Sequence, residues 1–273
     1  MKLSEIKLVL AQRGLKLTKS LGQNFLHDQN QLRRIVRAAE VGPADKVLEI
    51  GPGLGPLTAL LAGQAGEVLA IEKDRRLFDF LAQKFSTVSN LKLLHADALD
   101  YLRGHPRWDG WKLAANLPFS VASRLLVELA AAGEPPDRMA VTVQLEVAQR
   151  IAAPAGSGHY GVLGLLLGLC CQSRGWFRIP ASCFFPAPEV DSACIVLERR
   201  AEPLLPAASR QTFVKLVKRG FSQRRKMMLK LLKQDWPEDM LRRAFAQAGL
   251  PPQIRAEQIS LEQFVRLTQI LSQ

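Results

Sequence analysis

Cysteine is scarce in this 273-residue chain, and the four present, Cys170, Cys171, Cys183 and Cys194, form no C-x-x-C pair and no regular spacing. That excludes a disulfide framework and a cysteine-based zinc site, and a reducing compartment is the expected setting. His27, His95, His105 and His159 lack metal-ligand spacing as well, so no metal is expected. Long hydrophobic runs are also missing. The longest, Gly161 to Cys171, is too short to cross a bilayer, and MKLSEIKLVLAQRG carries no apolar core with a cleavage site. A cytoplasmic location without membrane association follows as the expectation. No internal repeat or low-complexity tract is present. Acid is in short supply: 25 Asp+Glu against 37 Lys+Arg leave a formal charge of +12. Such a chain calls for a polyanionic partner, nucleic acid ahead of an anionic membrane.

What remains is an ordinary globular composition, 48% hydrophobic and 23% charged, with enough apolar surface to offset chain entropy. The length suits one large domain, or one large and one small. From Lys46 to Glu198, β-rich runs alternate with helix-period stretches: KVLEI, EVLAIE, LKLLHAD, WKLAAN, RMAVTVQ, GWFRI and SACIVLE. This alternation predicts an α/β domain, a mostly parallel sheet flanked by helices. After Arg200, AEPLLPAA reads as a linker, and the remainder shows helical periodicity without a strand-like run. The division expected is therefore residues 1–200 and a small all-helical C-terminal domain over 201–273. Between Arg210 and Lys233 the latter holds nine Lys or Arg and no acid. Leu163, Leu166, Leu167 and Cys170 fall at i, i+3, i+4 and i+7, the spacing of a helix core stripe.

Several strands end in a polar group that could face one crevice at the carboxyl ends of the sheet. VLEIGPGLGPLT is a strand running through Gly51-Pro52-Gly53-Leu54-Gly55 into a helix. Glycines there let the backbone approach a nucleotide, but Pro56 replaces the third glycine of the dinucleotide fingerprint. G-x-G-x-G after Glu49-Ile50 is the pattern associated with S-adenosylmethionine enzymes; a plain strand-to-helix turn is its bland counterpart. Glu72, 21 residues past Gly51, could accept both ribose hydroxyl protons or simply cap a solvated strand end. Asp97 could accept from an adenine amine or serve as an N-cap for ALDYL. Asn116-Leu117-Pro118-Phe119 follows the fourth strand. An exocyclic adenine nitrogen is a poor nucleophile because its lone pair is delocalised into the ring. Two acceptors, the Asn116 carboxamide oxygen and the backbone carbonyl of Leu117 or Pro118, would hold its hydrogens, with Phe119 as a stacking face. Read alone, N-L-P-F is more readily an Asx turn with a buried ring.

Taken together, SLGQNFLHD (20–28), LEIGPGLGPLT (48–58), AIEKD (70–74), HADAL (95–99), NLPFSVAS (116–123), VQLEVAQRI (143–151), FFPAPEVDSA (184–193), GFSQRRK (220–226) and RAEQIS (255–260) resemble, in order, the KsgA-type ribosomal RNA adenine dimethyltransferases. The resemblance covers nearly the whole chain. It implies a Rossmann-like S-adenosylmethionine-dependent methyltransferase sheet with a small helical C-terminal domain. It further implies methyl transfer to N6 of two adjacent adenines near the 3′ end of small-subunit (16S) rRNA, by a monomer taking part in small-subunit biogenesis. Carried over residue by residue, Asn24, Leu26, Gly51, Glu72, Asp97 and Asn116 form the cofactor-binding set, with Glu49 of second rank. Asn116, Leu117, Pro118 and Phe119 form the catalytic set. Arg224, Arg225 and Lys226 lie in a segment with no acid across 24 residues and read as RNA phosphate contacts, with a solvated charge run as the bland counterpart. Phe119 stands where the family usually has Tyr, which keeps the π face and loses the hydroxyl. Leu145 and Glu189 replace usual lysines, and Lys230 stands where Asn is common. Two alternatives stay open: a large-subunit rRNA adenine methylase of the erythromycin-resistance type, against which Leu117, VDSA and RAEQIS weigh, and a non-catalytic RNA-binding assembly factor.

Overall fold

A computed structural model describes residues 1, 3–14, 22–132 and 134–272. Nine strands are described: β1 (Phe25–Leu26), β2 (Lys46–Ile50), β3 (Glu67–Glu72), β4 (Leu91–His95), β5 (Trp111–Asn116), β6 (Arg138–Gln144), β7 (Cys171–Ile179), β8 (Phe184–Phe185) and β9 (Ser192–Arg199). The helices are α1 (Leu3–Gln12), α2 (Gln29–Ala38), α3 (Pro56–Ala62), α4 (Arg75–Lys84), α5 (Ala98–Gly104), α6 (Ala122–Ala131), α7 (Leu145–Ala152), α8 (Val162–Gly168), α9 (Arg210–Gly220), α10 (Met228–Leu232), α11 (Glu238–Gln247) and α12 (Leu261–Leu271).

Seven strands form one sheet in the order β4-β3-β2-β5-β6-β9-β7. Strands β2 to β6 pair in parallel, and β9 runs antiparallel to β6. The interior strands β2, β3 and β6 are buried along most of their length and β5 through its centre, as parallel strands covered on both faces must be. The two edges, β4 and β7, alternate or face water instead. The chain leaves β2 toward β3 and β4, then crosses back to β5. The switch point between β2 and β5 opens a crevice at the carboxyl ends of the strands. A second, two-stranded ladder joins β1 to β8, pairing Phe25 with Phe185 and Leu26 with Phe184. It ties the segment before α2 to the segment before β9, a link extended by the His27 N–H donating to the Cys183 carbonyl at 2.9 Å.

The chain divides into two compact units, Met1–Ala148 with Ser173–Arg199, and Gln149–Gln172 with Arg200–Gln273. This differs from a single cut after residue 200, because residues 149–172 cluster with the C-terminal helices. The Tyr160 hydroxyl donates to the Ile259 carbonyl at 2.8 Å, and the Gly156 N–H donates to the Glu257 carbonyl at 2.7 Å. Gly168 lies against Leu261 so closely that an added Cβ would meet its Cδ2 at 2.7 Å. The core of this unit includes the fully buried Phe213, Phe245 and Phe264. The expected leucine stripe is corrected here: α8 stops at Gly168, and it buries Leu163, Leu165 and Leu167 while Leu166 is half-buried. A seven-residue helix enclosed on several sides has no single buried face.

Candidate active site

Four strand ends build one cavity, lined by every residue expected to bind cofactor (Asn24, Leu26, Glu49, Gly51, Glu72, Asp97, Asn116) and by Leu117, Pro118 and Phe119. The glycine turn after β2 is the first wall. Gly51 has φ +69°, Gly53 +62° and Gly55 +77°, a backbone region that side chains rarely adopt. A Cβ on Gly51 would press on the Pro118 ring at 3.2 Å, and one on Gly53 would strike the Phe25 ring at 2.8 Å. The turn is thus shaped for backbone close to both the N-L-P-F segment and β1. Pro56 opens α3 at a position where its missing N–H costs nothing.

Glu72 ends β3 and is 6% exposed. Its Oε2 accepts the Gly53 N–H at 3.2 Å and its Oε1 the Asp74 N–H at 2.8 Å, so the carboxylate locks the glycine turn to the β3 end. Burial raises its pKa, opposed by these N–H donors. Two of about four lone-pair sites are used, which leaves one on each oxygen for a ribose diol. Glu49 is 1% exposed, and its Oε2 has no partner. Desolvation pushes its pKa up to about 8, against the pull of the neighbouring Thr58 hydroxyl.

Asp97 takes the N-cap role, one of the two open to it in sequence, and lies on the cavity wall. Its Oδ1 accepts the Leu99 N–H at 2.8 Å as the N-cap of α5, and its Oδ2 pairs with Lys73 Nζ at 2.7 Å on the cavity wall. The Lys73 ammonium holds the carboxyl below the usual range. Gln23 Nε2 donates to Asp74 Oδ2 at 3.2 Å, fastening the segment before β1 to the end of β3. Gln23 and Lys73 both line the cavity and were not singled out in sequence. They lie inside the GQNFL and AIEKD motifs, but nothing local reveals partners 51 and 24 positions away.

Asn116 ends β5. Its Nδ2 donates to the Asn24 carbonyl at 2.9 Å, which fixes the carboxamide plane, while Oδ1 is buried and has no partner. The Leu117 N–H is spent on the Thr142 carbonyl at 3.2 Å, and the Pro118 carbonyl closes a turn by accepting the Val121 N–H at 3.1 Å. Phe119 is half-buried, with its ring braced edge-on by Phe184 of β8 at 6.4 Å between centroids. The β1–β8 ladder therefore serves two ends: it carries Asn24 to Asn116 and Phe184 to Phe119.

In the second unit the basic run is split in function. Arg224 donates to the Gly158 carbonyl through both terminal nitrogens at 3.1 Å and pairs with Glu257 at 3.4 Å, so it staples the unit together. Arg225 and Lys226 are exposed and make no side-chain hydrogen bond or ion pair among the described residues. Lys215 and Arg219 are held by Asp235, and Lys233 by Glu238. Glu189 and Lys230 are exposed, and Leu145 is half-buried at the start of α7. Ser20 and Leu21 of the first motif, and the basic Lys16 and Lys19 near it, lie outside the described residues. No helix among the described residues is long and apolar enough to cross a membrane. Among the same residues, no group of three or more His, Cys, Asp or Glu is placed to hold a metal ion.

A switch-point crevice, a glycine turn, a carboxylate at the end of β3 and another at the start of α5, and an oriented carboxamide beside a ring define a Rossmann-like methyltransferase. The comparisons narrow this class. A family model described as ribosomal RNA adenine dimethylase matches residues 14–273. The chain is 41% identical over 265 residues to the ribosomal RNA small subunit methyltransferase A of Magnetococcus marinus, covering 96% of this chain and 94% of the relative. It is 39% identical over 280 residues to the protein of the same name from Latilactobacillus sakei, covering 98% and 94%. Among solved structures, the 23S rRNA methyltransferase ErmE superposes with a TM-score of 0.68 at 29% identity, covering 91% of this chain and 100% of that one. A dimethyladenosine transferase from Plasmodium falciparum, at 22% identity and a TM-score of 0.76 over 89% and 95% of the two chains, shares the fold. The chain belongs to the ribosomal RNA adenine dimethylase family.

Proposed function

We propose that the protein transfers methyl groups from S-adenosylmethionine to N6 of two adjacent adenines near the 3′ end of small-subunit rRNA, as a cytoplasmic monomer acting in subunit biogenesis. The observation that carries this reading is Asn116: a buried, unpartnered carboxamide oxygen, oriented by Asn24 and set beside the Phe119 ring.

The cavity fits the cofactor. Glu72 retains acceptor capacity for the ribose hydroxyls, and Asp97, kept ionised by Lys73, is an acceptor for the adenine amine. Gly51 and Gly53 keep free the space that a Cβ would fill, and Asn24, Leu26 and Glu49 complete the wall. When bound, the cofactor supplies a sulfonium-activated methyl that needs neither metal nor strong base.

The rest belongs to the chain. The target adenine leaves its stack and lies on Phe119, which Phe184 prevents from turning away. Asn116 Oδ1 accepts one amine hydrogen and the Leu117 carbonyl the other, since the Pro118 carbonyl already closes the turn with Val121. Holding both hydrogens frees the nitrogen lone pair toward the methyl and fixes the line of approach. The buried setting strengthens these contacts as the nitrogen gains positive charge. After transfer the methylated nitrogen loses one held proton to water by way of the Asn116 Oδ1 or the Leu117 carbonyl. Once the spent thioether has been exchanged for fresh cofactor, turning the monomethylated base over presents its remaining hydrogen to one of the same acceptors. Arg225 and Lys226 of the second unit meet RNA phosphates, while Arg224 holds the loop that displays them.

Relatives named for the small subunit stand at 36–41% identity and ErmE at 29%, which supports the small subunit over the large one as substrate. Incubation with labelled cofactor and unmethylated small or large subunits tests this. Label in small-subunit rRNA is expected, and label confined to the large subunit would move the protein to the erythromycin-resistance class.

A further inference from the structure

The functional reading leaves one strongly charged surface of the first unit without a role. Helix α2 carries Arg33, Arg34 and Arg37 and no acid over its ten residues. Arg33 and Arg37 are exposed. Charge is not neutralised here as it is on strands β6, β7 and β9, where Arg138, Arg174, Arg178 and Arg199 each ion-pair with a carboxylate. Arg33 reaches only the neutral Asn30 at 3.5 Å and Arg34 only Gln31 at 3.0 Å, while Arg37 makes no side-chain hydrogen bond or ion pair among the described residues. The nearby carboxylates are engaged. Asp28 caps the helix through the Gln31 N–H, and Glu40, just past its end, pairs with Arg138 at 2.8 Å.

Position gives this surface its meaning. Helix α2 begins three residues after Leu26, and both Leu26 and Leu32 line the catalytic cavity. Leu32 faces inward at 1% exposure, and Arg33 is the next residue, turned to solvent. Residues 33 and 37 are one turn apart on a single helix face, so the charge runs away from the cavity along the helix. The Arg34 guanidinium lies over the Phe177 ring of β7 at 3.9 Å, which holds its plane in place and leaves the N–H donors not spent on Gln31 for an anion.

We infer that the arginine face of α2 is a second RNA contact, separate from the GFSQRRK run, that grips the phosphodiester backbone flanking the target adenine at the mouth of the cavity. The inference rests on the RNA-directed reading above. Guanidiniums suit this partner because their fork matches phosphate oxygens and they stay charged at every working pH. Such contacts position the strand and do not read its sequence, so this face sets affinity and register while the cavity sets the base.

The test is binding, read apart from methylation. Arg33, Arg34 and Arg37 are replaced together by Gln, and affinity for unmethylated small subunits and for their protein-free rRNA is measured across salt concentrations. Each lost phosphate contact lowers the log-log salt slope by about 0.7, so the triple variant should lose about 2 from the slope and at least about tenfold in affinity near 0.15 M salt for both probes. Calorimetric affinity for S-adenosylmethionine should be unchanged. Arg37→Gln alone, which breaks no side-chain hydrogen bond or ion pair among the described residues, should lose about 0.7 from the slope, and this variant decides the matter if the triple variant fails to fold. Unchanged affinity and slope would overturn the inference. So would a loss seen with intact subunits but absent with protein-free rRNA, since the face would then meet ribosomal protein. If wild-type protein binds these RNAs in the expected salt-dependent way yet transfers no methyl, the functional reading fails and the inference about α2 stands.

Discussion

Replacing Asn116 by Ala removes both halves of a paired arrangement. The lost Nδ2 bond leaves the Asn24 carbonyl short of a donor, which costs about 1 kcal/mol of stability and leaves the fold intact. The lost Oδ1 matters more, because it is the buried acceptor that has no partner in the resting protein. A hydrogen bond to a group becoming charged contributes about 1.5 to 3 kcal/mol, which lowers kcat about 10- to 150-fold. Removing one preorganised polar group from a closed site has cost about 10² to 10³ in comparable chemistry, so a fall toward the larger figure is expected. The loss should appear in kcat, with rRNA affinity near wild type, because the bond forms chiefly at the reacting centre. Asn116→Asp sharpens the test: it keeps an oxygen for the amine but turns a second acceptor toward the Asn24 carbonyl. That variant should retain more transition-state stabilisation than Ala while losing the orientation that Asn24 provides. Single-turnover methyl transfer on unmethylated subunits, with filter binding in parallel, measures both quantities. Wild-type turnover in Asn116→Ala, or a loss confined to KM, would refute the reasoning.

Three further outcomes follow from the same geometry. The carboxyl of Glu49 titrates near 8 in the folded chain against 4.5 in the ordinary case, so its stabilising contribution is complete below about 4.5 and is lost as pH rises through 8. Chemical denaturation of the wild type should show stability falling across that window by up to about 1.4 kcal/mol per pH unit, with Glu72 adding in the same direction, and Glu49→Gln should flatten the curve. Phe119→Tyr should be nearly neutral in kcat/KM, whereas Phe119→Ala should lose about 1 to 3 kcal/mol of base stacking, read as a fall in kcat/KM on subunits. Arg225→Gln with Lys226→Gln should flatten the salt dependence of rRNA binding by about 1.4 in log-log slope at unchanged thermal stability, while Arg224→Gln should lower the thermal midpoint, because its guanidinium is bonded to Gly158 and Glu257.

The strands were legible because parallel strands buried on both faces are written as continuous apolar runs. KVLEI, EVLAIE, WKLAAN and RMAVTVQ coincide with β2, β3, β5 and β6 residue for residue. The edges were less so: LKLLHAD closes at His95 and leaves Asp97 to cap a helix, and GWFRI is the end of a strand that begins at Cys171. The β1–β8 ladder was out of reach, since two-residue strands carry no periodicity and their partners are some 160 positions apart. Yet that ladder orients Asn116 and braces Phe119, so the residue types of the site could be named from sequence and their alignment could not. Charge runs have the same weakness. The sequence displays Arg224, Arg225 and Lys226 as equals, and only folding shows that the first is consumed by carbonyls at 158 and 160. The segment 149–172 joins the C-terminal unit for a comparable reason: in the chain it falls between strands of the first unit, while its contacts lie with residues 257 to 261.

Mass-spectrometric mapping of rRNA from unmethylated small subunits, after incubation with the protein and isotope-labelled S-adenosylmethionine, tests the central claim most directly. The account predicts two adjacent N6,N6-dimethyladenosines near the 3′ end of the small-subunit rRNA, absent when Asn116→Ala replaces the wild type. Label on another base, on another atom of adenine, or at unchanged level with Asn116→Ala would contradict it.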